Sequence, residues 1–534
     1  MVAAFAAQAG LKPGLMADME KQQIDPKHAD LTSTRKLSKN VLLNLFAEGV
    51  PLVASLFCIP VLVHRLGTEQ FGVLTLAWAI IGYFGIFDMG LGRALSKIVA
   101  EKLGRHDYDS IPALFWTGLL MMGVLGLVAG AILGGGASFA VVHILSISPK
   151  LSHETLIVLY LLAATIPLVI TTTGMTGVLS AHQRFDLIMM IRMPIGTWMF
   201  LGPVIAVLIF HTLISVVAMM VIGRCVMFIM AWMMCHKAVP HLQSPILSRD
   251  ALKTLLSFGS WVTVSNLISP IMEYMDRFFI AAALGLIAVA YYATPFTVAV
   301  KLQIIPSILV TVLFPALSTM LVYDRLKAKR AFEIANILVM LVMFPIVLIV
   351  IGFGHYGLVL WLGRDFAEHS TTVLQILMLG ILTNSLAFIP YALIQADGRP
   401  DITAKLHLIE LPIYLILLWY ALHSWGIVGA AIAWSFRVTL DWAMLLAIAT
   451  SKIRSKIATR LAIATAGLLI TVFIMAQIAN LPVRGLMCVI ISSIFILINW
   501  RYVLRISERN YVKYLLINAF TGIKKINIIS WSKH

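Results

Sequence analysis

The sequence contains fourteen apolar runs, each about long enough to cross a membrane as a helix. Such a helix needs about 20 mostly apolar residues to cross about 30 Å of hydrocarbon. The composition agrees, because 60% of the 534 residues are hydrophobic and only 12% are charged. The runs lie near 40–63, 71–96, 112–133, 155–179, 187–210, 212–235, 255–284, 287–321, 332–353, 371–395, 403–421, 427–449, 458–479 and 483–500. We therefore predict an all-α polytopic membrane protein with about 14 transmembrane helices, which excludes the water-soluble classes.

The positive charges follow the topology of these runs. If the N-terminus is cytoplasmic, the inside segments, together with the first residues of the adjoining runs, hold 31 of the 40 Lys and Arg residues, the outside loops with the adjoining run end hold four, and the interiors of the runs hold five. Cytoplasmic loops of membrane proteins carry such an excess of Lys and Arg. The formal net charge of +16 therefore reports orientation, and no nucleic-acid partner is expected. Both termini are predicted to be cytoplasmic.

The two halves of the chain are an internal repeat, offset by about 215 residues. The matching pairs are Pro51 with Pro270, the Leu-Gly dipeptides at 66–67 and 284–285, 181–186 with 396–401, 191–195 with 409–413, and Arg224 with Arg437. Each copy covers six runs, an even number, so both copies begin on the same side of the membrane. The sequence predicts two six-helix bundles related by a two-fold axis along the membrane normal.

The repeat divides the chain into five parts. We predict an N-terminal cytoplasmic arm over 1–39, bundles over 40–245 and 250–450, two additional transmembrane helices over 455–500, and a basic cytoplasmic tail over 501–534. Pro51 and Pro270 are predicted hinges, because proline kinks helices and interrupted helices at equivalent positions mark transport paths. The alternative is that prolines are simply common in membrane helices.

Several charged residues lie within the runs, where each costs about 3 kcal/mol unless it faces a wet cavity or a partner. The basic ones are Arg93, Arg224, Arg277, Lys301 and Arg437, and the acidic ones are Glu48, Asp88, Glu273, Asp276, Glu410 and Asp441. The four cysteines show no paired spacing in an outside loop, so we predict no metal site and no disulfide.

Motifs in a fixed order connect the sequence to a known family. Leu66-Gly67 is followed by Phe71-Gly72 and then by Asp88-x-Gly90-x-Gly92. Later stretches are Asp276-Arg277, 314–318, Trp361-x-Gly363 and 426–434. Over roughly residues 37 to 450, the chain resembles the bacterial oligosaccharide (Wzx-type polysaccharide) flippases of the multidrug/oligosaccharidyl-lipid/polysaccharide exporter (MOP) superfamily.

The resemblance implies a V-shaped, MATE-like fold and alternating access. It implies that a lipid-linked oligosaccharide on undecaprenyl pyrophosphate is moved from the cytoplasmic to the periplasmic leaflet of the bacterial inner membrane. The glycan would belong to O-antigen, capsule or exopolysaccharide. The implied partners are membrane lipids and a polysaccharide polymerase with its chain-length machinery. No cofactor and no enzymatic activity are expected, and coupling to H⁺ or Na⁺ stays open.

Such a cargo carries roughly two negative charges, which Arg or Lys in a wet cavity can offset. The candidates for binding the pyrophosphate are Lys301, Arg224, Arg277, Arg437 and Arg93. Lys301 is the first of them, since it lies near mid-depth with no acidic residue three or four positions away. The alternatives are ion pairs of Lys301 with Glu48 or Asp276, of Arg277 with Glu273, and of Arg437 with Asp441. Candidates for gating or coupling are Asp88, Glu48, Glu273 and Asp276, and Asp88 and Arg93 are predicted at the inner gate.

Three other functions remain open at this point. A drug/cation antiporter of the same superfamily would need an acidic cavity without basic residues at its centre. A peptidoglycan-precursor flippase would carry a similar headgroup. A membrane glycosyltransferase or polymerase would need a sizeable extramembrane face, whereas the longest outside loops, near 134–154 and 354–370, are too short to fold into a domain.

Overall fold

A computed structural model describes residues 34–86, 90–239, 242, 246–258, 260–455, 457–476 and 481–498. Within this part of the chain, all regular structure is helical. The helices are α1 (Thr34–Leu66), α2 (Thr68–Ile86), α3 (Leu91–Gly104), α4 (Ile111–Phe139), α5 (Pro149–Ala181), α6 (Phe185–Phe210), α7 (Leu213–Ala238), α8 (Arg249–Phe258), α9 (Ser260–Leu284), α10 (Leu286–Lys301), α11 (Ile304–Tyr323), α12 (Arg325–Leu362), α13 (Arg364–Ala396), α14 (Pro400–Ile453), α15 (Ile457–Ala476) and α16 (Leu481–Ile498). A π-helical turn, Ala140–Ile144, extends α4.

The helices coincide with the apolar runs, which confirms the prediction of an all-α, multi-pass membrane protein. Among the described residues, nine helical segments are long and apolar enough to cross a membrane. The two closest runs are separated as predicted, because α6 ends at Phe210 and Thr212 caps α7 by accepting a hydrogen bond from Ser215 N. The full count of fourteen spans stays a prediction.

Glycine turns at matching positions support the internal repeat. Gly67 joins α1 to α2 with a φ of 77°, and Gly285 joins α9 to α10 with a φ of 84°. Positive φ values favour glycine, since it has no Cβ. Each Leu-Gly dipeptide of the repeat is therefore the turn that ends the first long helix of its half. We call α1–α7 the N-terminal half and α9–α14 the C-terminal half.

A second pair of matching contacts lies at the other end of the helices. Arg184 Nη2 and Asp186 Oδ2 are 3.0 Å apart before α6 enters the membrane. Arg399 Nε and Asp401 Oδ1 are 2.9 Å apart where α14 begins. Both arginines bind their carboxylate through two nitrogens. The two halves therefore repeat this ion pair at an offset of 215 residues (399 − 184).

Two of the predicted runs are interrupted. The eighth run, expected as one span over 287–321, is split into α10 and α11 at Leu302 and Gln303. Pro306 has no N–H to bond the carbonyl oxygen of Leu302, which explains a break there. In the second run, α3 begins after Gly90, whose φ is 74°. Asp88 lies outside the described residues.

The helices that carry the predicted hinges are not interrupted. α1 continues through Pro51, and α9 continues through Pro270. The role of these prolines as hinges stays a prediction.

The two halves meet at the face that the charge distribution predicts to be outside, which we call the outer face. Gly72 of α2 lies so close to α10 that a Cβ placed on it would be 2.0 Å from Leu286 O. Beside it, Ser146 N donates to Ala281 O at 3.2 Å, and Ser146 Oγ donates to Ala282 O at 2.9 Å. These contacts hold the N-terminal and C-terminal halves together at the outer face.

The last two helices pack on the outside of α12. Phe495 of α16 stacks on Phe344 with 3.9 Å between ring centroids. Arg484 Nη1 donates to Gly352 O at 3.1 Å. α15 and α16 therefore lie beside the C-terminal half.

Candidate functional site

A cavity of about 280 Å³ lies between the two halves. The N-terminal half contributes α1, α6 and α7, and the C-terminal half contributes the end of α10. The lining residues are Pro51, Arg192, Ile195, Gly196, Met199, Phe200, Arg224, Met227 and Lys301. The cavity thus brings together two predicted cations, Lys301 and Arg224, and adds a third, Arg192.

A tryptophan fixes the two helices that carry the arginines. Trp198 Nε1 of α6 donates to Met219 O of α7 at 2.9 Å. A Cβ on Gly223 would lie 2.4 Å from Trp198 Cδ1, so only glycine allows the indole to pack there. Arg224 follows this glycine directly, and the α6–α7 contact therefore sets its position.

A second glycine lets α1 approach the cavity. A Cβ on Gly196 of α6 would lie 2.8 Å from Pro51 Cγ. Pro51 itself is buried and forms part of the lining. The proline predicted as a hinge therefore lies at the cavity, against α6.

Lys301 is the contribution of the C-terminal half. It is the last residue of α10, immediately before the break at Leu302 and Gln303. A cation at a helix C-terminus interacts favourably with the helix dipole. Within α10, Lys301 lies 15 residues after the start at Leu286. This separation is about 22 Å along the helix at 1.5 Å per residue.

The cavity has a positive electrostatic character. Three of its lining residues are cationic, and none of those that the structure describes is acidic. Arg224 Nη1 lies 3.5 Å from Met227 Sδ, while its buried Nε has no hydrogen-bond partner. Among the described residues, no carboxylate lies within ion-pair distance of Arg192 or Arg224. Two guanidinium groups are therefore available to an anion that enters.

Arg277 lies elsewhere, in the core of the C-terminal half, and is 6% exposed. Its Nη1 donates to the backbone carbonyl of Glu273 at 2.9 Å and lies 3.5 Å from Asp276 Oδ1. Its guanidinium also stacks 4.8 Å from the Phe296 ring. Asp276, which is 0% exposed, accepts a hydrogen bond of 2.6 Å from Tyr292. Arg277 and Asp276 thus form a buried ion pair, and the backbone carbonyl of Glu273 accepts a further hydrogen bond from Arg277.

Arg437 lies in a second buried cluster on α14. Its Nη1 is 3.6 Å from Met272 Sδ, and its guanidinium is 5.4 Å from the Tyr414 ring. In the described structure it makes no ion pair with Asp441, the partner one turn away that the sequence suggested. Asp441 Oδ1 instead lies 4.0 Å from His407 Nε2.

The remaining predicted residues lie near the inner end of the helices or outside the description. Arg93 of α3 is exposed. The side chain of Glu48, like residue Asp88, is outside the described part of the chain. Roles for Arg93, Asp88 and Glu48 in a gate or in coupling stay predictions.

The sequence does not predict Arg192 as a residue of the site. Its position, only seven residues from the start of α6 at Phe185, is typical of an inside charge. The repeat contains a signal, since the match of 191–195 with 409–413 sets Arg192 opposite Glu410. Two charged residues at one equivalent position inside a membrane helix are rare enough to mark a functional position.

Comparison with known proteins gives a family and a relative. A family model described as "Polysaccharide biosynthesis protein" matches residues 37–321. A "Putative O-antigen transporter" of Shigella flexneri is 34% identical over 411 residues, which cover 76% of this chain and 96% of that protein.

Solved structures give the fold. The inward closed conformation of the lipid II flippase MurJ aligns with a TM-score of 0.67 and 12% identity, covering 87% of this chain and 99% of that one. An inward-facing MATE-family multidrug transporter of the MOP superfamily aligns with a TM-score of 0.64 and 14% identity, covering 77% and 98%. The chain therefore has the MATE-like fold of two helical bundles.

Proposed function

The chain belongs to the polysaccharide biosynthesis protein family, and we propose that it moves a lipid-linked oligosaccharide across the membrane by alternating access. The cargo is an oligosaccharide on undecaprenyl pyrophosphate, which passes from the cytoplasmic to the periplasmic leaflet for surface polysaccharide synthesis. The observation that carries this proposal is the cavity between the halves, with Arg192, Arg224 and Lys301 in its lining.

The cavity suits the headgroup of this cargo. A pyrophosphate that joins a lipid to a sugar has two negative charges, and moving them into a medium of low dielectric costs several kcal/mol per ion. Arginine offsets that cost well, because its planar guanidinium donates two parallel hydrogen bonds to a phosphate. Two arginines from the N-terminal half and one lysine from the C-terminal half line the same cavity, so a pyrophosphate there would lie among three cations. The lipid tail can remain in the bilayer throughout.

The conformation fits the loading step of the cycle. The halves are in contact at the outer face through Gly72 and Leu286, and cargo would enter from the other side. Opening the outer contacts and closing the inner end would then expose the cavity to the periplasm. In the sequence, Asp88 follows α2, the helix that contains Gly72. Asp88 and Arg93 remain our candidates for the inner gate.

The same proposal sets the location and the topology. The protein resides in the inner membrane of a bacterium with both termini in the cytoplasm, in line with 31 of its 40 Lys and Arg residues lying in the inside segments and the first residues of the adjoining runs. It transports its cargo without changing any covalent bond. A polysaccharide polymerase with its chain-length machinery, on the periplasmic side, is the partner that would receive the product.

The alternatives are less well supported. A drug/cation antiporter would have to bind cations in a cavity whose described lining is cationic. A peptidoglycan-precursor flippase has a similar headgroup to bind, but the relative of 34% identity is named an O-antigen transporter. The fold does not separate these functions, since MurJ and the MATE transporters share it.

Transport can be tested with the purified full chain in liposomes. Undecaprenyl-pyrophosphate oligosaccharide with a labelled sugar is supplied in the membrane, and an impermeant reagent reports the fraction in the outer leaflet. Arg192→Gln and Arg224→Gln each remove charge-assisted hydrogen bonds worth about 1.5–3 kcal/mol. Each should therefore lower the flipping rate about 10- to 100-fold. Lys301→Ala should impair flipping while the amount of protein in the membrane stays nearly unchanged.

Arg184→Gln is the matched control, because Arg184 forms its ion pair with Asp186 outside the cavity. Its flipping rate should stay within about twofold of wild type, in keeping with the small effect of exposed pairs. If liposomes that contain the wild-type protein move no lipid-linked sugar, the proposal is refuted. New glycosidic bonds in the recovered cargo would instead indicate an enzyme.

A further inference from the structure

A hydrogen bond joins the two halves at a proline of α1. Trp361 Nε1 of α12 donates to Leu56 O of α1 at 2.6 Å. In a regular helix, Leu56 O would accept from the N–H of residue 60, but Pro60 has no N–H. α1 nevertheless remains helical through Pro60. The carbonyl that this helix leaves unpaired is therefore satisfied by the other half of the protein.

The contact lies beside side chains that face lipid. Phe57, next to Leu56, is 74% exposed, and Leu360, next to Trp361, is 91% exposed. Large apolar side chains that are exposed on a membrane helix face the hydrocarbon, where no water is present to bond a free backbone carbonyl. An unpaired Leu56 O is therefore costly here. The indole N–H of Trp361 removes that cost only while α1 and α12 stay together.

Trp361 moves with the C-terminal half, because the turn that follows it is fixed to α10. Gly363 joins α12 to α13 in this turn, with a φ of 94°. Just after it, Asp365 accepts a hydrogen bond of 2.8 Å from the hydroxyl of Tyr291 of α10. His369 stacks on the same tyrosine, with 4.5 Å between the ring centroids and 7° between the ring planes. The donor of the bond to Leu56 O thus belongs to a rigid part of its own half.

The same turn satisfies a second carbonyl that a proline leaves unpaired. Pro295 of α10 has no N–H to bond Tyr291 O, four residues earlier. Ser370 Oγ of α13 donates to that oxygen at 2.8 Å. Tyr291 O is bonded within one half and keeps its donor when the halves move. Leu56 O is bonded across the halves and loses its donor when they separate.

We propose that the hydrogen bond from Trp361 to Leu56 O is a latch that stabilises the closed outer face. α1 moves with the N-terminal half, since its Pro51 packs against Gly196 of α6, so opening the outer face breaks the bond. Pro60 gives the latch its strength, because it leaves Leu56 O without another donor. Trp361 is a positioning residue in this role and does not touch the cargo. The latch rests on the alternating access of the proposed function and is independent of the identity of the cargo.

The latch is tested by labelling a cavity cysteine from the periplasmic side. The reporter is Met199→Cys, in the cavity lining, with the four native cysteines replaced. An impermeant thiol reagent reacts with it at a rate that follows the fraction of protein open at the outer face. Trp361→Phe keeps an aromatic ring and removes the N–H, so it should raise this rate about 2- to 10-fold, the range for the loss of one hydrogen bond. An unchanged rate overturns the proposal.

The matched control is another exposed tryptophan of the C-terminal half. Trp419 is 56% exposed and lies on the first segment of α14, which is interrupted at Trp425 and Gly426. Its ring contacts His423 of the same segment. Trp419→Phe should label like the protein that carries the reporter alone. A rise equal to that of Trp361→Phe overturns the proposal, because any exposed indole would then have the same effect.

Pro60→Ala separates the hydrogen bond from other effects of the indole. Residue 60 then has an N–H that can bond Leu56 O within α1, so the carbonyl keeps a donor when the outer face opens. Adding Trp361→Phe to Pro60→Ala should therefore change the labelling rate by less than about twofold. The same fold-change with and without Pro60→Ala overturns the proposal, since the indole would then act without Leu56 O. No cargo is present during labelling, so labelling decides the latch, whereas the liposome assay decides the flippase function.

Discussion

The contact between Gly72 and Leu286 allows closure of the outer face to be tested by adding a single methyl group, in Gly72→Ala. A Cβ on Gly72 would lie 2.0 Å from Leu286 O. Because that atom belongs to the backbone of α10, no side-chain rotation can relieve the overlap. The halves would have to separate by about 1.4 Å (3.4 − 2.0) to reach an ordinary contact distance. Overpacking of this kind costs about 1–3 kcal/mol, and it acts on the outer-closed state alone.

Gly72→Ala should therefore shift the protein away from the state that is closed at the outer face. A cost of 1.4 kcal/mol changes the ratio of two states about tenfold. The assay is labelling of Met199→Cys, a cavity position, after replacing the native cysteines at 58, 225, 235 and 488. An impermeant thiol reagent should react more slowly from the cytoplasmic side and faster from the periplasmic side.

The control is a glycine with space around it. Gly136 is also within a helix, α4, and a Cβ placed there meets nothing within 4 Å. Gly136→Ala should label like wild type from both sides. If Gly72→Ala also labels like wild type, the halves do not close through this contact and the reasoning fails.

Three further predictions concern topology and stability. A cysteine at Lys150 should be labelled from the periplasm and one at Asp109 only from the cytoplasm, and the reverse would overturn the orientation derived from the charges. Gly429→Ala should lower the melting temperature, because its Cβ would lie 1.8 Å from a backbone oxygen on the other segment of α14, and an unchanged value would contradict that packing. Arg277→Met should destabilise the fold by about 3–5 kcal/mol in thermal or denaturant unfolding, since it leaves Asp276 buried without its ion pair, and a neutral effect would show that Tyr292 and the backbone N–H of residue 277 satisfy the carboxyl group.

The fold could be predicted from the sequence because its constraints are local. Apolar length decides where helices cross a membrane, and Lys and Arg counts decide their direction. The Leu-Gly dipeptides that contain Gly67 and Gly285 can be recognised in the sequence. The positive φ values of the two glycines explain why glycine occurs there. Each of these signals needs only neighbouring residues.

The site could be predicted only in part, because it depends on which helices meet. Depth in the membrane makes Lys301 and Arg224 candidates, and it leaves Arg277 and Arg437 as candidates beside them. The structure separates the four, since Lys301 and Arg224 line the cavity while Arg277 is closed in an ion pair with Asp276. The sequence does not predict Arg192, because a cation seven residues from the start of a helix resembles an inside charge. Its place in the cavity depends on how α1, α6 and α7 meet around it.

The distribution of charge between the halves bears on how the cycle is driven. Two bundles of identical charge would give a symmetric cavity, and a bound anion would then be the only charge that distinguishes the loaded carrier from the empty one. Here the equivalent positions Arg192 and Glu410 differ in sign, so the two halves are not equivalent in charge. An anion in the cavity would meet Arg192 and Arg224 of the N-terminal half but only Lys301 of the C-terminal half. The charge of the loaded carrier would therefore be balanced mainly by one bundle.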